Sequence, residues 1–302
     1  MRFTFKEFTF CFIMGICVGL FFLSCSGHST KKPSPDKLAL LNERVTLYKE
    51  LFKTVIDKDG FIETTRCDSL IFTGLSNLQA NLTAAELESG RWLRRPISYP
   101  ECYDEGESRS NISRDGLLGV IYFAIENKDL DMLKRLWRYG ESNYWVMGKG
   151  GWQHSIYTPD HISLLAQAIY KLSNGANDYS IRLAKFPKLT PGEGFEAHLQ
   201  EIFLLIRDKV YESNILADDI KNQLATLNPE NPLMQVMNND KDKAIDLLLK
   251  YWPANRLPTS ADWCGSWRIE QAPTGNGLNP CPDENVTHSG GDLLFVARLI
   301  NE

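Results

Sequence analysis

The chain has 302 residues, of which 43% are hydrophobic and 24% are charged. This balance is typical of a protein with a buried core, and it excludes disordered and collagen-like chains. The 33 basic and 38 acidic residues leave a formal net charge of −5. Because nucleic-acid-binding domains carry an excess of basic residues, the charge argues against nucleic acid as a partner.

The start of the chain has the pattern of an export signal. A short basic segment with Arg2 and Lys6 precedes an apolar run over 8–23. This run is shorter than the ~20 residues of a membrane span, but its length suits the core of a signal peptide.

A lipidation motif ends this apolar run. The sequence F-L-S-C, ending at Cys25, resembles the bacterial lipobox, in which the cysteine becomes the lipidated first residue, although Phe stands where Leu is usual. We predict a signal peptide at 1–24, a lipidated Cys25 and a polar tether at 25–37. A plain secretory signal or an uncleaved anchor are the alternatives. The expected location is the bacterial cell envelope, on the periplasmic or surface face of the outer membrane, with the lipid as membrane anchor.

Four more cysteines follow Cys25, and an even number in an exported protein is typical of disulfide bonds. Three pairings are open, and proximity in the sequence favours Cys67–Cys102 and Cys264–Cys281. No C-x-x-C or H-E-x-x-H motif is present, and neither is a phosphate- or dinucleotide-binding motif. We therefore expect no metal and no cofactor.

Apolar residues recur every three or four positions from residue 38 to the end of the chain. Leu38, Leu41 and Val45 illustrate this spacing, which indicates amphipathic helices. Alternation typical of strands is not evident. The sequence therefore predicts one mainly α domain over 38–302.

The predicted helix beginnings recur at a near-regular interval. Six acids stand next to similar apolar runs: Asp68, Asp115, Asp160, Glu201, Asp246 and Asp292. The intervals between neighbouring acids are 41 to 47 residues, about the length of a helix pair with its turns. The spacing predicts six helical hairpins, in a closed ring or an open array.

Six evenly spaced hairpins resemble the six-hairpin (α/α) toroid superfamily, which includes many glycoside hydrolases and polysaccharide lyases. The resemblance covers 38–302 and rests on the repeat period rather than on one diagnostic motif. It implies an (α/α)6-type toroid with parallel inner helices and a sugar-binding groove across one end. The implied partner is a polysaccharide or oligosaccharide, bound by a monomer.

The acids at the helix starts have two interpretations. As helix caps and dipole partners they would contribute about 0.3–1 kcal/mol each. In a ring, equivalent helix starts converge, and paired carboxylates can then act as acid and base on a glycosidic bond. We predict Asp68 and Asp115 as the catalytic pair, with Glu63 as the alternative to Asp68.

Aromatic and polar residues near these helix starts are candidates for substrate binding. Trp and Tyr rings can stack on the apolar face of a pyranose, although such rings also serve as lids over a core. We expect the following residues to hold substrate: Arg94, Tyr103, Arg114, Trp145, Trp152, His154, Asp160, His288 and Asp292.

The sequence leaves two function classes open. The first is an envelope-anchored enzyme that cuts polysaccharide, by hydrolysis rather than by β-elimination; a lyase on the same fold would use Tyr103, His154 or Arg114. The second is a non-catalytic helical lipoprotein that binds glycan or an envelope partner.

Overall fold

A computed structural model describes residues 32–53, 56–62, 69–88, 90–96, 111–148, 156–176, 191, 194–211, 215–255 and 290–302. All of them belong to one structural unit, Lys32–Glu302. The described part is mainly helical, with ten α-helices: α1 Pro35–Phe52, α2 Ser69–Ser76, α3 Arg114–Glu126, α4 Leu130–Ser142, α5 Pro159–Leu172, α6 Gly194–Val210, α7 Ile215–Leu227, α8 Pro232–Met237, α9 Lys241–Tyr251 and α10 Gly290–Asn301. None of these helices combines the length and the apolar character needed to cross a membrane.

A small β-element interrupts the helices between α2 and α3. A 3₁₀ helix at Leu82–Ala85 leads into β1, Glu86–Glu88, which pairs antiparallel with β2, Arg91–Trp92. The sequence analysis did not predict these strands, because segments of two or three residues are too short to show an alternating pattern.

Four helices begin where the sequence predicts a start. α2, α3, α5 and α10 begin within two residues of the acids at 68, 115, 160 and 292. Ser113 caps α3, and its Oγ accepts a hydrogen bond from the Gly116 N–H at 3.4 Å. Thr158 occupies the N-cap position of α5, with Pro159 in the first turn, where the missing N–H of proline is not needed. Local sequence signals therefore account for the starts of α3 and α5.

Two of the six acidic markers, the weaker pair, lie inside helices rather than at their starts. Glu201 lies in the middle of α6, fully buried, where it accepts a hydrogen bond from Asn231 Nδ2 at 2.8 Å. Asp246 lies in the middle of α9 and forms an ion pair with Lys37 at 2.8 Å. Both acids precede apolar residues, but neither has the capping residue that a helix start requires.

The helix start that the sequence analysis missed belongs to α8. Asn231 caps it, and its Oδ1 accepts from the backbone N–H groups of Leu233 at 2.9 Å and Met234 at 3.2 Å. Pro232 follows as the first helical residue. Asn followed by Pro is a known helix-start signal that could have identified this position.

The first helix begins inside the segment predicted to be a tether. α1 starts at Pro35, and the Ser34 side chain caps it. Lys37 Nζ reaches the carboxylates of Asp242 and Asp246 on α9, at 2.8 Å each. The ordered fold therefore includes 35–37.

Six helices contact one another in a cyclic order. The contacts run from α2 to α3, α5, α6, α8, α10 and back to α2, with α3 also packed against α6. α4 packs against α3 and α5, α7 against α6 and α8, and α9 against α8 and α10, while α1 packs against α9 and α10.

The carboxyl ends of several of these helices are tied together. Arg298, in the last turn of α10, donates from Nη2 to the Leu75 carbonyl at 3.2 Å and to the Tyr122 hydroxyl at 2.6 Å. Lys209, in the last turn of α6, pairs with Glu126 at the end of α3 at 2.7 Å. We call Tyr122, Glu126, Lys209 and Arg298 the carboxyl-end cluster. It shows that α2, α3, α6 and α10 end on the same side of the fold.

Two further lysines fix the directions of α5 and α9. Lys171, in the last turn of α5, donates from Nζ to the Lys209 carbonyl, so α5 ends with the others. Lys241, the first residue of α9, donates to the Ile300 carbonyl at 2.7 Å. α9 therefore starts where α10 ends and runs back in the opposite direction.

Glycines allow α2 and α3 to pack unusually closely. A Cβ at Gly74 would lie 2.5 Å from the carbonyl oxygen of Gly119, and a Cβ at Gly119 would lie 2.9 Å from the Ile71 Cα. Because these neighbours are backbone atoms, no side chain fits at either position without separating the helices.

Candidate functional site

The amino ends of α2 and α3 are joined by one short segment. The Leu70 N–H donates to the Arg94 carbonyl at 3.0 Å, and Arg94 Nε donates to the Asn111 carbonyl at 2.9 Å. Leu93 also pairs with Asn111 through an isolated antiparallel bridge. The starts of α2 and α3 therefore lie on the same side of the fold.

The chain that leads into α5 reaches the same region. A Cβ at Gly148 would lie 2.6 Å from Asn111 Cγ, so these two residues are in direct contact. Val146 pairs with Ile156 through an isolated bridge. Asn111 therefore contacts both the segment before α3 and the segment before α5.

Asp115 is buried in the first turn of α3. Its side chain is 1% exposed, and its Oδ1 accepts from the Gly116 N–H at 2.9 Å. Ser113 already supplies the cap of this helix, so capping does not require a second, buried carboxylate. Because burial of a charged group is costly, the Asp115 carboxylate depends on its contacts within the fold, of which the Gly116 N–H is one.

A histidine and a tyrosine are buried at the start of α5. His161 is 8% exposed, and Tyr157 is 3% exposed. Their ring centroids lie 5.3 Å apart, and His161 Nδ1 lies 2.6 Å from Thr158 Oγ1. His161 Nε2 and the Tyr157 hydroxyl have no hydrogen-bond partner among the residues that the structure describes.

Burial shifts the pKa values of the titratable groups at the start of α5. Burial, together with the nearby Arg114 charge, lowers the pKa of His161 to about 4. Burial also raises the pKa of Asp160 and of Tyr157 above their ordinary values. At neutral pH the imidazole and the phenol are therefore uncharged. The shift of the Asp160 pKa has the direction that a proton donor requires.

Trp145 packs into an aromatic group at the end of α4. Its ring centroid lies 4.9 Å from that of Trp137, edge to face, and 6.4 Å from that of Tyr157, nearly parallel. A Cβ at Gly140 would lie 2.5 Å from its ring. Trp145 is only partly exposed, and this packing agrees with the interpretation of the ring as a lid over the core.

The turn that carries Trp145 is strained. Tyr144 and Trp145 have φ values of 52° and 62°, a region that residues other than glycine rarely adopt. Tyr144 is 91% exposed. The same turn therefore presents one aromatic ring to solvent and the next to the core.

The structure thus brings Arg94, Arg114, Asp115 and Asp160 to one side of the fold. The remaining predicted site residues lie outside the described part: Glu63, Asp68, Tyr103, Trp152, His154, His288, the side chain of Asp292, and the cysteines Cys25, Cys67, Cys102, Cys264 and Cys281. Within the described ranges, no group of three His, Cys, Asp or Glu side chains is placed to hold a metal ion.

Sequence reasoning missed Tyr157 and His161. They lie in the run Tyr-Thr-Pro-Asp-His, where Thr-Pro signals a helix start. One polar ring before this helix start and one after it could have identified both residues as candidates for the site. Their burial, however, depends on the packing of α4, α5 and α6, which the local sequence does not contain.

Comparison with known proteins assigns no family. No protein-family model, curated protein or solved structure matches the chain. The function is therefore inferred from the residues and their geometry.

Proposed function

We propose that the chain is an envelope-anchored enzyme that degrades polysaccharide, of the glycoside hydrolase type. One observation carries the proposal: the starts of α2, α3 and α5 lie on one side of the fold, and Asp115 is buried there although its helix is already capped. A carboxyl group in such a position is suited to acid–base chemistry.

The proposed scaffold is a six-hairpin toroid. The cyclic contacts of α2, α3, α5, α6, α8 and α10 support it. Along the chain, α4 lies between α3 and α5, α7 between α6 and α8, and α9 between α8 and α10. The carboxyl-end cluster would occupy one end of the proposed toroid, so the substrate groove would lie at the amino ends.

Asp115 is proposed as one catalytic carboxyl group, with Asp68 as its partner and Glu63 as the alternative to Asp68. α2 and α3 are neighbours, and packed helices lie ~8–10 Å apart. Hydrolases place their two carboxyl groups about 5–10 Å apart. Asp160, in the first turn of the next helix of the ring, would contact the substrate.

Lipid attachment at Cys25 would hold the enzyme at the membrane. The F-L-S-C motif after an apolar run of signal-peptide length supports this part of the proposal. Mass spectrometry of the amino-terminal peptide should find a lipidated Cys25 as the first residue. An unmodified Cys25 inside a longer peptide would contradict it.

A screen for new sugar ends tests the activity. The purified full chain would be incubated in detergent with bacterial and plant polysaccharides, and reducing ends would be measured together with the ultraviolet absorbance of unsaturated products. Hydrolysis yields reducing ends without this absorbance, whereas β-elimination yields both. Binding without either product would instead support the non-catalytic alternative.

A pair of variants tests the role of Asp115. On an active substrate, Asp115→Asn should lower turnover by about 10²-fold, the scale of losing a general acid or base, while the melting temperature stays within a few degrees. Asp131→Asn is the control, because Asp131 also lies in the first turn of its helix but is exposed. If Asp115→Asn keeps full activity but melts at a much lower temperature, Asp115 has a structural role and not a catalytic one.

A further inference from the structure

Three hydrogen-bond donors near the starts of α3 and α5 have no partner among the residues that the structure describes. The Tyr157 hydroxyl and His161 Nε2 are buried without a partner within the described ranges. Arg114 is half-buried and forms no ion pair or side-chain hydrogen bond with any described residue. Its charge is nevertheless close enough to act on the His161 imidazole. Buried polar groups are normally paired, so this group requires an explanation.

The chemistry of these groups favours an acceptor with negative charge. Arg114 can only donate, and the Tyr157 hydroxyl is a donor with its proton in place. If His161 Nδ1 accepts from the Thr158 hydroxyl, its Nε2 carries the remaining proton and is a third donor. Carboxylate and sulfate oxygens satisfy several donors at once, and the guanidinium group matches them in two-point contacts.

The surroundings are compatible with an anion. The amino end of α5 contributes a partial positive charge. Asp160 is the acid next to His161 in the sequence, and burial raises its pKa above the ordinary value. Asp115, the next residue after Arg114, directs Oδ1 to the Gly116 N–H.

We propose that Arg114, Tyr157 and His161 form a subsite for the anionic group of an acidic sugar. The proposal rests on the proposed function in one respect, namely that the anion belongs to the bound glycan. Its source is either the carboxylate of a uronic acid or a sulfate ester. Arg114 is the more exposed member, so the anion meets it first and then pairs with the two buried donors.

Nitrogen-15 NMR of the histidines tests the subsite without requiring turnover. The His161 signals would be assigned in the full chain by their loss in His161→Gln. Sodium glucuronate, glucose 6-sulfate and glucose would then be titrated at constant ionic strength. We expect a saturable shift of the Nε2 signal with one or both acidic probes and none with glucose, and the stronger response identifies the source of the anion.

Variants assign the binding to the three side chains. Arg114→Gln should weaken the acidic probe at least tenfold, and Tyr157→Phe should weaken it several-fold. Arg138→Gln and Tyr170→Phe are matched controls on α4 and α5, because both side chains are exposed, and neither should change the affinity.

Two results would overturn the subsite. One is an Nε2 signal that no acidic sugar shifts; the other is an equal shift with sodium acetate or sulfate alone, which would mean an adventitious ion only. The NMR result is separate from the activity screen. If an acidic probe binds but no polysaccharide is cleaved, the subsite is supported and the proposed enzymatic activity is rejected. If polysaccharide is cleaved but no acidic probe binds, the activity is supported and the subsite is rejected.

Discussion

Tyr122 and Tyr157 are the same residue type at opposite ends of the helices, and they differ in what their hydroxyls contact. Burial raises the pKa of both phenols. The Tyr122 hydroxyl accepts from Arg298 Nη2 at 2.6 Å, whereas the Tyr157 hydroxyl has no partner in the described part of the chain. Burial therefore does not distinguish the two tyrosines, but the pairing of their hydroxyls does.

The same contrast holds for the charged groups. At the carboxyl ends, Arg298 bridges α2 and α3, and Lys209 pairs with Glu126. At the amino ends, Arg114 lies near a neutral imidazole and no described carboxylate pairs with it. The charged side chains of the carboxyl ends thus join helices to one another, whereas Arg114 at the amino ends forms no such pair with a described carboxylate.

The largest expected effect is acid destabilisation through His161. Its pKa is about 4 in the folded chain against an ordinary value of 6.5, so the unfolded chain takes up the proton first as the pH falls. The stabilising contribution is complete above pH 6.5 and is lost progressively down to pH 4. The full loss is about 3 kcal/mol of unfolding free energy, measurable by urea denaturation across this range.

His161→Gln is the control for this prediction. Among the described residues, Arg114 acts on the imidazole electrostatically, Tyr157 packs against it and Asp160 precedes it in the sequence. Burial raises the pKa of Asp160, so its contribution to the pH profile has the opposite sign. The difference between the wild-type and variant pH profiles therefore isolates the imidazole. If the wild-type and His161→Gln profiles are parallel, the pKa of His161 in the folded chain is close to its ordinary value. The contrast between the two ends of the helices would then weaken.

The second prediction compares arginine-to-methionine substitutions at the two ends. Met preserves much of the apolar stem of arginine and removes its charge and donors. Arg298→Met should cost about 2 kcal/mol, because the Tyr122 hydroxyl and the Leu75 carbonyl lose their donor. Arg114→Met should change stability by less than about 0.5 kcal/mol. Equal losses in chemical denaturation would mean that Arg114 has a structural partner.

The fold was predictable where local chemistry specifies it. Ser113 at the start of α3 and Thr158-Pro159 at the start of α5 carry their signals in a few residues, and the structure confirms both starts and the mainly helical class. Glu201 and Asp246 failed as markers because an acid beside apolar residues also occurs inside helices. An acid in the middle of a helix does not cap it, and the apolar residues beside it do not distinguish this position from a helix start.

The site was predictable only in part, because burial and pairing are properties of the packed helices. Asp115 stood out through its position at a helix start, and the structure adds that it is buried. Tyr157 and His161 were missed, because the sequence does not show that the Tyr157 hydroxyl and His161 Nε2 are buried without a partner among the described residues. Trp145 was predicted to hold substrate, with a lid over the core as the alternative, and its packing against Gly140 and Trp137 agrees with the lid.

The smallest expected effect is the sharpest test of the comparison, because it removes one oxygen atom at each end. Tyr122→Phe should lower stability by about 1 kcal/mol, since Arg298 loses an acceptor in a partly buried position. Tyr157→Phe should leave stability unchanged or slightly raised, because it removes a buried hydroxyl that has no partner in the described fold. Urea denaturation of both variants at neutral pH measures the difference. If Tyr157→Phe is the more damaging substitution, the Tyr157 hydroxyl is bonded within the protein or to a buried water, and it is then part of the fold rather than a donor held for a ligand.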